Sequence, residues 1–120
     1  MHEIKEIDKT SIDLIHSTNI RDNRIINLKH KVDPTRSRIE GPALLIHRVG
    51  QPNINKLCVI NENEVYALSD WIIAIKAKTY EDCNLMKELI LKNWEDFSNL
   101  YKGTGAKYIT MERLRNFLNP

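Results

Sequence analysis

Tyr101-Lys-Gly-Thr-Gly-Ala-Lys-Tyr-Ile-Thr110 divides the chain into two kinds of sequence. A helical period runs up to its first residue, a second helix opens at its last, and almost everything before residue 79 reads as strand and turn. Gly103 and Gly105 free the backbone between the helices to adopt positive φ. The simplest reading is a helix C-cap, with Gly103 left-handed and Lys102 complementing the helix dipole. A functional reading adds a phosphate or nucleic-acid strand, held by Thr104, Lys107 and the free amides at the Thr110 helix start.

Upstream of the loop, Thr79 and Asp82 resemble a capping box, and Cys83, Met86, Leu89, Ile90, Trp94, Phe97, Leu100 and Tyr101 recur at three- and four-residue steps. This spacing predicts a long amphipathic helix over 79–101, broken near Asn93. Downstream, Thr110 caps a final helix whose apolar face is Leu114, Phe117 and Leu118, with Arg113 and Arg115 pointing elsewhere. Working back, the apolar run 71–76 reads as a strand after a Ser69-Asp70 turn, with Trp71 and Trp94 read as core ahead of stacking platforms. Residues 57–60 and 65–68 read as a hairpin across Asn61-Glu-Asn63, and 43–49 as a central strand followed by a Gly50-Gln-Pro-Asn53 turn. Asp33-Pro34 starts one helical turn running to about Glu40. Arg21 and Arg24 bracket an Asp22-Asn23 hairpin turn, and residues 11–20 give a first strand entering a polar loop at His16-Ser-Thr-Asn19. Strands followed by helices make an α+β domain: a mixed, mostly antiparallel sheet over roughly residues 1–78, then a helical C-terminal third.

With 120 residues, 42% of them hydrophobic, one core and one domain are expected. No apolar run approaches a membrane span and no apolar signal region is visible, so the expectation is a cytoplasmic protein with no membrane partner. Cys58 and Cys83 read as buried thiols, and the four histidines lack zinc-type spacing, so no metal is expected. The net charge of +2 hides an uneven distribution: residues 21–56 carry eight Lys and Arg against three acids, and 102–120 carry four against one, flanking an acidic segment. If the fold joins the two basic segments, they form a footprint for a polyanion.

Enzyme signatures are weak. Gly103-Thr-Gly-Ala-Lys107 lacks P-loop spacing and a preceding strand, no G-x-S-x-G is present, and Ser69-Asp70 reads as a local cap. A nuclease is disfavoured because Ile-Ala-Ile-Lys76 lacks the acid of an E-x-K step. No catalytic residue is assigned. By contrast, Asn, Gln and His interleave with the cations over 16–55, supplying paired donors and acceptors suited to base edges.

The same residues carry a resemblance. His16-Ser-Thr-Asn-Ile20-Arg-Asp-Asn-Arg-Ile25, Gly41-Pro-Ala-Leu-Leu-Ile-His-Arg-Val-Gly50, Leu68-Ser-Asp70-Trp-Ile-Ile-Ala-Ile75 and the closing 101–110 segment with Leu114 resemble, in order and spacing, the target-recognition domains of restriction-modification systems. Such domains occur in type I specificity subunits and at the C-terminus of many adenine-N6 DNA methyltransferases. Pro42 stands where the family has Asp, and Trp71 where it has Asn. The helix that follows such domains in specificity subunits is missing, which favours a C-terminal fragment of a larger methyltransferase. The catalytic and cofactor-binding motifs of methyltransferases are missing too.

The resemblance implies a single recognition domain, residues 1–120, that binds duplex DNA and positions a methyltransferase catalytic domain, in the same chain or a partner subunit. S-adenosylmethionine is expected there, with no cofactor in this chain. By position, His16, Thr18, Asn19, Arg21, His47, Arg48, Gln51 and Asn53 are expected to read bases. Arg24, Lys29, Lys31, Arg36, Arg38, Lys102, Thr104, Lys107 and Tyr108 are expected on the DNA backbone, with Gly103 and Gly105 shaping the loop. The competing reading is a protein-interaction domain that docks through the 79–101 helix, its basic surface incidental.

Overall fold

A computed structural model describes residues 12–28, 31–32 and 38–119. In chain order its strands are β1 (Ile12–Ile15), β2 (Ile20–Arg21), β3 (Arg24–Ile25), β4 (Lys31–Val32), β5 (Arg38–Glu40), β6 (Ala43–His47), β7 (Leu57–Ile60), β8 (Val65–Leu68) and β9 (Ile72–Lys76). Helices α1 (Tyr80–Lys92), α2 (Trp94–Ser98) and α3 (Met111–Leu118) follow. The class is α+β.

Strands β7, β6 and β9 form an antiparallel sheet with β6 at its centre, and all five β6 residues are buried. A strand buried throughout needs cover on both faces, and the side-chain period of two supplies the residues for each. Leu44 and Ile46 join Leu57, Ile73, Ile90, Phe97, Tyr101, Ile109 and Leu114 in a core under the helices. Ala43 and Leu45 join Cys58, Ile60 and Ile72 in a second core, closed by Ile15 and Ile20. Beyond that face lies a four-stranded sheet ordered β4-β1-β8-β5, in which β1 and β8 run parallel and the other pairs antiparallel.

Both helix starts follow their caps: Thr79 accepts from the Asp82 N–H at 3.1 Å, and Thr110 from the Arg113 N–H at 3.2 Å. The expected break falls at Asn93, between α1 and α2. Arg21 and Arg24 pair across the β2–β3 turn, where Asp22 and Asn23 both take positive φ.

Three expectations are corrected. β7 and β8 do not form a hairpin: β7 pairs with β6, while β8 crosses to the other sheet between β1 and β5, because the Cys58 and Ile60 face must seal against that sheet. Glu40 ends a strand, β5, not a helical turn; the proposed start at Asp33-Pro34 lies outside the described residues. The last helix before the loop ends at Ser98 with Asn99 as its C-cap, so Gly103 is not a helix cap. Cys58 and Cys83 are buried free thiols, and burial pushes the Cys58 thiol up to about 11. No described helix is long and apolar enough to cross a membrane.

Candidate nucleic-acid interface

Arg48 is the joint of the site. Its N–H donates to the Trp71 carbonyl at 2.6 Å, and its own carbonyl accepts from the Ile109 N–H at 2.9 Å, so β6 ends clamped between the turn before β9 and the glycine loop. Two residues on, the Gly50 N–H donates to the Lys107 carbonyl at 2.8 Å. Lys102 and Tyr108 exchange backbone hydrogen bonds of 2.8 and 3.1 Å, which closes residues 102–108 into a lobe. The basic turn after β6 and the basic glycine loop, more than fifty residues apart in the chain, therefore stand side by side.

The lobe is braced from below. The Tyr101 hydroxyl, held protonated by burial, donates to the His47 carbonyl at 2.6 Å, and its ring stacks on the His47 imidazole at 5.3 Å. Arg113 reaches up from α3 to the Leu100 and Tyr108 carbonyls at 3.3 and 3.2 Å, its guanidinium 5.4 Å from the Tyr108 ring centroid. Gly103 has φ +153°, and a Cβ there would stand 2.8 Å from the Tyr108 ring, so the ring can lie across the loop only over a glycine. Lys102, Thr104 and Lys107 are exposed around it.

A second block adjoins the first. The β2–β3 hairpin rests on the 3-10 turn Ile54–Lys56: the Asn23 N–H donates to the Asn55 carbonyl at 3.0 Å, and Lys56 Nζ to the Ile20 carbonyl at 2.5 Å. With its amide group turned to donate, Asn23 also bonds the Leu57 and Ile54 carbonyls at 2.9 and 2.8 Å. Burial holds the Lys56 ammonium below its ordinary range, and the nearby Arg21 charge adds to this. Arg21, Lys56 and the Arg48 turn thus belong to one end of the molecule.

The sequence-derived candidates divide accordingly. Arg21, Arg24, Arg48, Gln51, Asn53, Lys102, Thr104, Lys107 and Tyr108 are exposed on these loops, and Thr18 is exposed on the adjoining 3-10 turn Ser17–Asn19. Asn53 commits its side-chain oxygen to the Asn55 N–H at 2.9 Å as the cap of the 54–56 turn. Asn19 is only 8% exposed and spends its whole amide on the chain: Oδ1 accepts from the His16 N–H, and Nδ2 donates to the Ile26 and Asn27 carbonyls. His47 is 5% exposed, its Nε2 bonded to the Gln51 carbonyl at 2.8 Å. Neither side chain can reach a base edge, and both are reassigned to shaping the loops. His16 is half-buried at the same turn. Lys31 lies on the edge strand β4, paired with Asp13 at 3.7 Å, and Arg38 is exposed on β5 at the opposite edge of that sheet. Lys29 and Arg36 lie outside the described residues.

Sequence reasoning misplaced Trp71, which is 53% exposed beside Arg48 and not core. The signal was the turn itself: Ser69 Oγ accepts from the Trp71 N–H at 3.3 Å, which holds the tryptophan at the rim, one residue before β9.

His47 also makes the end of β6 sensitive to pH. Burial holds its imidazole below the ordinary value of 6.5; the Gln51 carbonyl opposes this and the Lys56 charge reinforces it. Its Nδ1 is buried without a partner among the described residues, so a proton there gains nothing. Because the folded value lies below the unfolded one, the stabilisation is complete above about pH 6.5 and is lost as pH falls through the depressed value. Denaturant midpoints at pH 7.5 and 5.0 are expected to differ more for the native chain than for His47→Gln; an equal difference contradicts this role.

The described residues contain no cluster of three or more His, Cys, Asp or Glu able to hold a metal. No protein-family model, curated protein sequence or solved structure matches the chain.

Proposed function

We propose that the chain is a sequence-specific duplex-DNA recognition module that presents the turn 48–53 and the lobe 102–108 to a groove. The observation that carries this reading is the backbone union of those two loops at Arg48 and Gly50, which gathers Arg48, Lys102 and Lys107 around exposed Trp71 and Tyr108. Neither loop contains an acid; Glu112, four residues after Tyr108, is the nearest in sequence, and Asp70 stands beside Trp71. Cations on hydrogen-bonded loops, beside aromatic surface and exposed amides, suit a phosphate backbone with base edges inside it.

In this reading Arg48 and Gln51 face base edges, a guanidinium matching guanine and a carboxamide matching adenine. Lys102, Thr104 and Lys107 hold phosphates. The resemblance to target-recognition domains adds the biological role: positioning an adenine-N6 methyltransferase catalytic domain, which would supply S-adenosylmethionine and the reacting groups. The present chain would bind and orient without catalysing.

The test is equilibrium binding to a randomised duplex pool, followed by salt titration on the selected sequence. Selective enrichment with a steep salt dependence is expected, and Lys107→Ala should weaken all duplexes alike and lower the slope of log K against log salt by about one. A Lys107→Ala protein with unchanged affinity and slope would remove the lobe from the interface, and no enrichment from the pool would remove the reading.

A further inference from the structure

We propose that the outer edge of β9, with the apolar groove beside it, binds an extended acidic segment of a partner protein as an added strand. The proposal stands independently of DNA binding.

The phase of the β6–β9 ladder exposes the edge. The bonds Arg48 N–H to Trp71 carbonyl and Ala77 N–H to Pro42 carbonyl, with register Ile46 opposite Ile73 and Leu44 opposite Ile75, turn the odd-numbered residues of β9 toward β6. The backbone N–H and C=O of Ala74 and Lys76 therefore point away, and no described residue hydrogen-bonds them. Edge groups with no partner among the described residues can template a further strand.

A groove of about 670 Å³ runs along the same edge. Ala74, Ile75 and Lys76 all line it although successive side chains point to opposite sheet faces, so it follows the strand's rim and not one face. Its other walls are Leu85 and Leu89 of α1, 61% and 39% exposed, and Leu118 of α3. An apolar side chain on an added strand would cover leucines that the described fold leaves in water.

Charge selects the occupant. Among the described residues that line the groove, the charged ones are Lys76 and Arg115, with no acid. An incoming strand with carboxylates alternating with apolar residues matches both features. A second copy of this chain, edge to edge, would bring the same cations together in one interface. Lys76 lies five residues along the chain from Trp71, about 16 Å at strand rise, so an occupant there leaves the DNA-facing loops open.

The test uses the full chain and a fluorescent eight-residue peptide of alternating valine and glutamate, with a valine-lysine peptide as counterpart. The glutamate peptide is expected to raise anisotropy and to slow hydrogen exchange at the Ala74 and Lys76 amides. The exposed double substitution Lys76→Glu with Arg115→Glu should weaken it by about tenfold or more. Ala74→Pro, which removes one outward donor, should also weaken it; if that variant fails to fold, the charge reversal carries the test. Equal binding of the lysine peptide, unchanged exchange at Ala74 and Lys76, or self-association through this edge in sedimentation would overturn the proposal.

Discussion

Asn19→Ala is expected to lower the unfolding free energy by about 2–5 kcal/mol, a large share of the roughly 5–15 kcal/mol that holds a domain of this size together. The side chain closes three hydrogen bonds of 2.9 to 3.0 Å at a site 8% exposed, and each partner is a backbone group: the His16 N–H and the Ile26 and Asn27 carbonyls. Alanine removes the partner that these three backbone groups share near the junction of β1 with the β2–β3 hairpin. Asn27 sits at φ +52°, so the segment that Asn19 ties down also holds backbone that relaxes readily once released. Asn19→Asp should be no rescue, because the oxygen replacing Nδ2 would face two carbonyls. Thermal and denaturant unfolding measure the loss. Duplex binding at a temperature where both proteins are folded separates the two roles: a base reader would lose selectivity at one position, whereas a loop brace loses stability and keeps its selectivity. A change below about 0.5 kcal/mol, the range of ordinary surface substitutions, would return Asn19 to the surface.

Much of the fold was legible because local chemistry sets it. Thr79 and Thr110 announce helix starts through hydroxyls that cap nearby N–H groups, Asn93 marks a break in a strong period, and the unbroken apolar run of β6 signals burial on both faces. What escaped is decided by long-range pairing. Residues 57–68 carry every local sign of a hairpin, yet Cys58 and Ile60 seal a core that needs β8 on the far side, and a two-strand pattern cannot announce which sheet its second strand joins. The candidate site divides in the same way. The exposed cations are readable as cations, but Asn19 and His47 stand among the base readers through the positional match to the family, and a match by position carries no sign of burial. A glycine after a helical period predicts a cap at Gly103, while its demand comes from a ring five residues later. Hydrophobicity alone places Trp71 in the core, although the Ser69 turn holds it at the rim.

Arg48→Ala is expected to weaken specific duplex binding by about 1–3 kcal/mol, roughly 5- to 150-fold, with the loss concentrated at one base position. The case for this residue is its mounting. Its N–H and C=O are held by Trp71 and Ile109 at 2.6 and 2.9 Å, and the Tyr101 hydroxyl fixes the preceding carbonyl, so the exposed side chain leaves a backbone with little freedom to lose on binding. Arg48→Lys discriminates between charge and geometry. It keeps the cation and should retain non-specific affinity and salt slope, yet it gives up the planar fork and should lose preference for guanine. Trp71→Ala adds a second, different loss: no charge is removed, so the salt slope should hold, while affinity falls by an amount of order 1–3 kcal/mol if the indole stacks on or wedges against bases. Because the two residues share a backbone bond, the double substitution is expected to cost less than the sum of the singles, with a coupling of about 0.5 kcal/mol or more. Strict additivity would mean that Arg48 and Trp71 meet separate parts of the duplex. An Arg48→Lys protein indistinguishable from the native chain at every base position would reduce Arg48 to one more phosphate cation and move sequence reading to Gln51 and the Arg21 hairpin.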